Sequence, residues 1–208
     1  LSFSYKDVVF NVLDVPGSSD CVGDMLAALR AVECALICVD ATSGVKVNTR
    51  KIWQEAEKLG LPCSFAITRL DAENTNYAKT LAEIQELFGD RCIPALWPDG
   101  SASSFSKVFS VLAPPDGAPE EVTSTNEKLS EAVVEADDAL MEKYLEGEEI
   151  SNEVFRSTFT KAMLQRLLFP VLVAAGEPQV GLEEMLDFLA AFAPNPNEVE
   201  RKGMAGEE

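Results

Sequence analysis

Two aspartates carry most of the chemistry in this chain. Asp14 opens the segment Asp14-Val15-Pro16-Gly17, directly after the apolar run Val8–Leu13, and Asp71 closes Ile67-Thr68-Arg69-Leu70-Asp71. An ionised carboxylate only accepts hydrogen bonds, and it can take two at once from a planar pair of donors. No G-x-x-x-x-G-K-[ST] occurs, so the loop that cradles β- and γ-phosphates is not among these 208 residues. Five cysteines (Cys21, Cys34, Cys38, Cys63, Cys92) form no C-x-x-C pair, and the chain has no histidine. That pattern does not make a zinc site, and it reads as reduced, mostly buried thiols of a cytosolic protein.

The elements that must position the two carboxylates follow from the periodicity. Leu1–Tyr5 and Val8–Leu13 are expected strands joined at Lys6-Asp7, the second apolar enough for a strand covered on both faces. Ser19 or Asp20 suits the cap of a helix carrying Val22, Met25, Leu26, Leu29 and Val32. Ala35–Val39 and Cys63–Thr68 are strands, and 49–59 and 77–88 are helices closed by Gly60 and Gly89. This alternation predicts a parallel α/β sheet with right-handed crossovers. Ligands of such sheets bind outside the carboxyl ends of the strands, where both Asp14 and Asp71 fall.

Beyond Gly89 the pattern changes. Ile93–Trp97 and Phe105–Leu112 are expected strands around Pro98-Asp99-Gly100, followed by a Pro/Gly-rich loop at 113–119. One long amphipathic helix is expected over Asn126–Leu145, then a helix at 154–167, a core strand at 170–173 and a closing helix at 182–192. The division is residues 1–89 and 161–195 as one α/β domain, 90–160 as an α+β insertion, and 196–208 as a tail. A formal charge of −18 argues against a broad nucleic-acid surface and favours a basic protein partner. The longest apolar stretch contains Pro170 and is too short to cross a membrane. The start at Leu1, inside a strand-like pattern, leads us to expect an excised piece of a longer chain.

The order of these residues resembles the bacterial translation elongation factor G family, in its divergent elongation factor G-like branch. Three stretches carry the resemblance: Asp14-Val15-Pro16-Gly17 through Val39-Asp40-Ala41, Gly44-Val45 and Trp53; Ile67–Asp71, standing where the family has N-K-x-D; and Leu140–Glu149, like part of the insertion peculiar to that factor. The resemblance implies an incomplete P-loop NTPase (G domain) fold lacking its phosphate loop and switch I, with helices on both faces of the sheet. It implies GTP or GDP with Mg²⁺ as ligands in an intact parent. In those roles Asp14 approaches Mg²⁺ through water and Gly17 contacts the γ-phosphate. Thr68, Arg69 and Asp71 surround the guanine, with Ala175 and Gly176 standing where the family has S-A-[LK]. Asp71 keeps the carboxylate that accepts two bonds from guanine, whereas Thr68, Arg69 and Ala175 depart from the family pattern.

Ser18 replaces the family's catalytic His, so no catalytic residue is assigned. Read from the residues alone, Ser18 and Ser19 simply help begin a helix. The acidic positions Glu127, Glu131, Glu135, Asp138 and Glu142 read either as a solvated helix face or, by resemblance, as a surface meeting the ribosomal stalk protein L7/L12. Two functions follow. One is the nucleotide domain of a cytoplasmic, ribosome-associated GTPase whose residues here would not hydrolyse GTP by themselves. The other is a pseudo-GTPase module docking on the ribosomal stalk.

Overall fold

The computed structural model describes residues 1–148 and 150–199. Residues 200–208 of the expected tail and Glu149 lie outside the described residues. The chain folds around a four-stranded parallel sheet built from β3 (Ala35–Asp40), β4 (Cys63–Thr68), β5 (Cys92–Pro94) and β8 (Phe169–Ala174), in the order β3-β4-β8-β5. The two central strands are buried on both faces, which matches their continuous apolar sequence. Helices α1 (Val22–Leu29), α2 (Val47–Lys58), α3 (Tyr77–Phe88), α4 (Glu120–Val134), α5 (Asp138–Leu145), α6 (Asn152–Leu164) and α7 (Leu182–Phe192) flank the sheet and the hairpin beside it.

Against one face pack Trp53 of α2, Phe65 of β4, Phe88 of α3 and Phe169 of β8, with ring centroids 4.7–5.5 Å apart. Arg166 closes this cluster from below. Its guanidinium lies 5.4 Å from the Trp53 ring and 5.2 Å from Phe169, and its Nη1 donates to the carbonyls of Leu61 at 2.7 Å and Ala56 at 3.2 Å. A cation over aromatic faces that also satisfies two helix-end carbonyls ties α2 to the end of α6. Gly60 takes φ +64 after α2, as expected of a left-handed cap.

Three expectations are corrected. The ribbon β1 (Ser2–Tyr5) and β2 (Val8–Asn11) pairs only with itself, and Val9, Val12 and Leu13 are exposed rather than covered on both faces. Among the described residues no other strand pairs with it; Tyr5 and Lys6 anchor it to Asp187 on α7 instead. The expected strand at 93–97 divides at Ala95: β5 joins β8 in the main sheet, while β6 (Leu96–Asp99) pairs with β7 (Lys107–Ser110). The single long helix is two. It starts at Glu120 behind Pro119 and breaks at 135–137, where Asp137 turns extended and its carboxylate accepts from Leu140 N at 3.3 Å to start α5. Lys161 of α6 holds that same carboxylate at 2.8 Å, so the break is pinned by a neighbouring element.

Among the cysteines, Cys63 and Cys92 are buried but Cys38 is exposed, on an outer strand whose Leu36 also faces out. Among the described residues, no helix is long and apolar enough to cross a membrane.

Candidate functional site

Strand register brings the site together. Asp40, Thr68 and Ala174 end β3, β4 and β8 side by side, since Asp40 pairs with Thr68 and Thr68 with Ala174. The loops that follow, 41–46, 69–76 and 175–181, therefore share one edge of the sheet. Thr68 braces this edge: its carbonyl accepts from Ala41 N at 2.9 Å and its Oγ1 reaches the Val39 carbonyl at 3.5 Å. Asp71 follows the fully buried Leu70, whose carbonyl is held by Ala102 N at 2.8 Å and by Thr75 Oγ1 at 2.8 Å. The Asp71 carboxylate is half-buried and, among the described residues, receives no hydrogen bond from the protein. It remains available for a donor pair brought by a ligand.

Gly176 is exposed beside it, but the Ala175 amide donates to Val180 O at 2.8 Å. The Ala175 amide is thus spent in closing the loop on itself and is not free for a ligand. Gly181 makes that closure possible. It has φ +77, and a Cβ there would stand 2.5 Å from the Val173 carbonyl.

Arg69 does not hang free. It takes φ +59, and its Nη1 donates to Asp40 Oδ2 at 3.0 Å. Asp40 Oδ1 accepts from Thr42 N at 2.8 Å and Thr42 Oγ1 at 2.6 Å. Partial burial acts upward on the Asp40 carboxyl. The Thr42 bonds and the charges of Arg69 and Lys46 outweigh it and hold the group below the usual carboxylate range. Asp40 was not singled out from the sequence; the signal was an Asp at a strand end with Thr two residues on, the mark of a side-chain turn.

The second group sits on the other side of β3. Asp14 is exposed, and its charge is felt at Cys38 of β3. Gly17 is held through its carbonyl by Asn48 Nδ2 at 2.7 Å, from the first turn of α2. Asn48 too was missed, because nothing in its spacing marks it as a partner of residue 17. Ser18 lies extended and exposed with its Oγ 3.4 Å from Cys21 Sγ, and it makes no capping bond. The expected cap at Ser19 or Asp20 is corrected in position: α1 begins at Val22 with Cys21 as its cap residue and no side-chain cap bond, behind a single 3-10 turn at Ser19–Cys21 in which Cys21 N meets Ser18 O at 3.2 Å.

The acidic positions Glu127, Glu131, Glu135, Asp138 and Glu142 are all exposed. The break at 135–137 places them on two helices rather than on one continuous stripe.

A parallel sheet with an uncommitted carboxylate and an exposed glycine loop at its carboxyl edge is an α/β domain of the class that binds ligands at that edge. The model of the elongation factor Tu GTP binding domain matches residues 1–195, and the chain belongs to that family. It is similar to the elongation factor G-like protein of Mycobacterium tuberculosis, in strains CDC 1551 / Oshkosh and ATCC 25618 / H37Rv. Each is 33% identical over 209 residues, covering 95% of this chain and 29% of the relative. A crystal structure of a Thermus thermophilus protein superposes with a TM-score of 0.85 at 32% identity, covering 95% of this chain and 32% of that one. The chain thus spans under a third of the length of the relatives it matches.

Proposed function

We propose that this chain is the guanine-recognising portion of the G domain of an elongation factor G-like, ribosome-associated translational GTPase of the cytoplasm. Residues 1–89 and 161–195 form the G domain together with the edge strand Cys92–Pro94, which corrects the expected boundary at 90; the rest of 90–160 is the insertion and 196–208 a linker. The observation that carries this reading is the Asp71 carboxylate, unbonded among the described residues and presented beside the Gly176 loop. The chemistry of guanine matches it, because N1–H and the 2-amino group form a coplanar donor pair that one carboxylate satisfies.

The residues fit the base end of GTP or GDP, with Thr68 bracing, Arg69 flanking and Asp71 accepting. They do not by themselves fit the phosphate end. The sequence has no G-x-x-x-x-G-K-[ST], and among the described residues no three His, Cys, Asp or Glu side chains group to hold a metal. Asp14 is one carboxylate toward Mg²⁺, and Gly17 one backbone position toward a γ-phosphate. The nucleotide's own phosphate oxygens would supply further Mg²⁺ ligands. No hydrolytic step is assigned to Ser18. Glu127, Glu131, Glu135, Asp138 and Glu142 offer a carboxylate surface to a lysine-bearing partner, for which the stalk protein L7/L12 is our candidate.

The second reading, a pseudo-GTPase that docks on the ribosomal stalk without turnover, is favoured by the departures at Ser18, Thr68 and Ala175. A fluorescent GDP titration with Mg²⁺ separates the two. It compares this chain with a form extended at its N-terminus through a phosphate-loop motif, using ATP as competitor. Micromolar binding by the extended form, resistant to ATP, supports the nucleotide switch. Absence of binding in both forms leaves the docking module, with the stalk protein as the ligand to titrate next.

A further inference from the structure

We propose that Asp40 is a positioning residue for the base end of the site, clamping the Arg69 side chain across the ends of β3 and β4 so that it flanks the ligand opposite Asp71. This rests on the guanine-nucleotide reading above. The geometry is a chain of fixed contacts. Asp40 is the last residue of β3 and pairs in register with Thr68, the last of β4, so Arg69 begins its loop next to the Asp40 side chain. One Asp40 oxygen is held by the amide and hydroxyl of Thr42, which stops the carboxylate from turning; the other takes the Arg69 guanidinium. Both Asp40 oxygens are engaged within the protein, so its proposed role toward a ligand runs through Arg69.

The backbone adds the second argument. Arg69 sits at φ +59, where a Cβ is disfavoured and glycine is the cheap choice. Its side chain is 65% exposed, and Asp40 is the one ion-pair partner it has among the described residues. An exposed ion pair of this kind adds little to folding. At this position the long side chain gains little stability from its exposed pair, unlike Arg166, which also takes a positive φ but satisfies two carbonyls in the fold. A guanidinium tied beside the strand ends suits the face of a purine. Arg69 and Asp71 then divide the labour: the arginine covers the ring face and is blind to the 2-amino group, while the carboxylate reads the edge.

The test uses the GDP-binding form with Asp40→Asn, Arg69→Gly and the double variant. Affinities for GDP and for inosine diphosphate, which lacks the 2-amino group, are measured along with thermal midpoints. Arg69→Gly should weaken both nucleotides by about tenfold, the order of a lost cation–ring contact, without lowering the thermal midpoint. Asp40→Asn should cost about fivefold at most, and the double variant should bind no worse than Arg69→Gly alone. Undiminished GDP binding by Arg69→Gly, or additive losses in the double variant, would overturn the proposal. If the unsubstituted protein binds no GDP, the functional reading fails first. The clamp is then decided by the nitrogen-15 spectrum: a distinct Arg69 Nη–H signal, from the nitrogen that donates to Asp40, should collapse to that of a free arginine in Asp40→Asn, and an unchanged signal rejects it.

Discussion

At the scale of single residues, the site depends on which polar atoms are already spent. Asp40 and the Ala175 amide are consumed within the protein, whereas the Asp71 carboxylate is not. Asp71→Ala should therefore leave stability within about 0.5 kcal/mol, as for a surface change with no partner to orphan. Two hydrogen bonds to a charged acceptor would be lost, so GDP binding should weaken on the order of a hundredfold. Calorimetric titration of the GDP-binding form and urea unfolding of the same variant check the two halves together. Asp71 was legible in the sequence because a carboxylate just past an apolar strand has few structural duties. Asp40, Asn48 and the commitment of Ala175 were not, since each is defined by a partner that only the folded register brings near.

At the scale of elements, the parallel strands and the helices at 77–88 and 182–192 were readable from period and caps alone. What could not be read was set by neighbours. The break between α4 and α5 depends on Lys161, which follows Asp137 by a whole intervening helix start. The split of β5 from β6 depends on β8, which lies far along the chain. Arg166 is the clearest case of an element junction held by one side chain. Arg166→Ala would remove the donor to the Ala56 and Leu61 carbonyls and the cation over Trp53 and Phe169. It should destabilise the fold by about 1–3 kcal/mol, more than loss of an exposed charge would. Urea unfolding followed by Trp53 fluorescence measures this directly. Lys161→Met gives a pH signature of its own. The hydrogen bond and charge of Lys161 hold the Asp137 carboxyl below its ordinary value, so the stabilisation is present above the unfolded pKa and is lost as pH falls through the folded one. Acid unfolding of wild type should show that loss below about pH 4, and the variant should lack it.

For the whole molecule, alkaline stability is set by buried thiols. Burial pushes Cys63 and Cys92 up to about 12. Their thiols are free to ionise only on unfolding, where their pKa is about 8.5. The folded state then binds more protons than the unfolded one, so stability falls as pH rises from about 8.5 toward 12. Urea midpoints taken between pH 8 and 10.5 should decline, and Cys63→Ala should flatten the decline while costing stability at pH 8. The order of strands has a different consequence, one of time. The sheet runs β3-β4-β8-β5, so its second central strand is the last of its four to be made. Until Phe169–Ala174 is available, β4 and β5 have no partner between them, and no hydrogen bond can close the gap. The sheet is completed from its middle by its last strand, which makes its contacts long-range and its assembly late. A chain stopped before Phe169 should show helical circular dichroism without cooperative unfolding, and adding residues 169–192 should restore a single sharp transition. A ribosome making this protein thus holds an unfinished sheet until α6 and the whole of the insertion before it have already been synthesised.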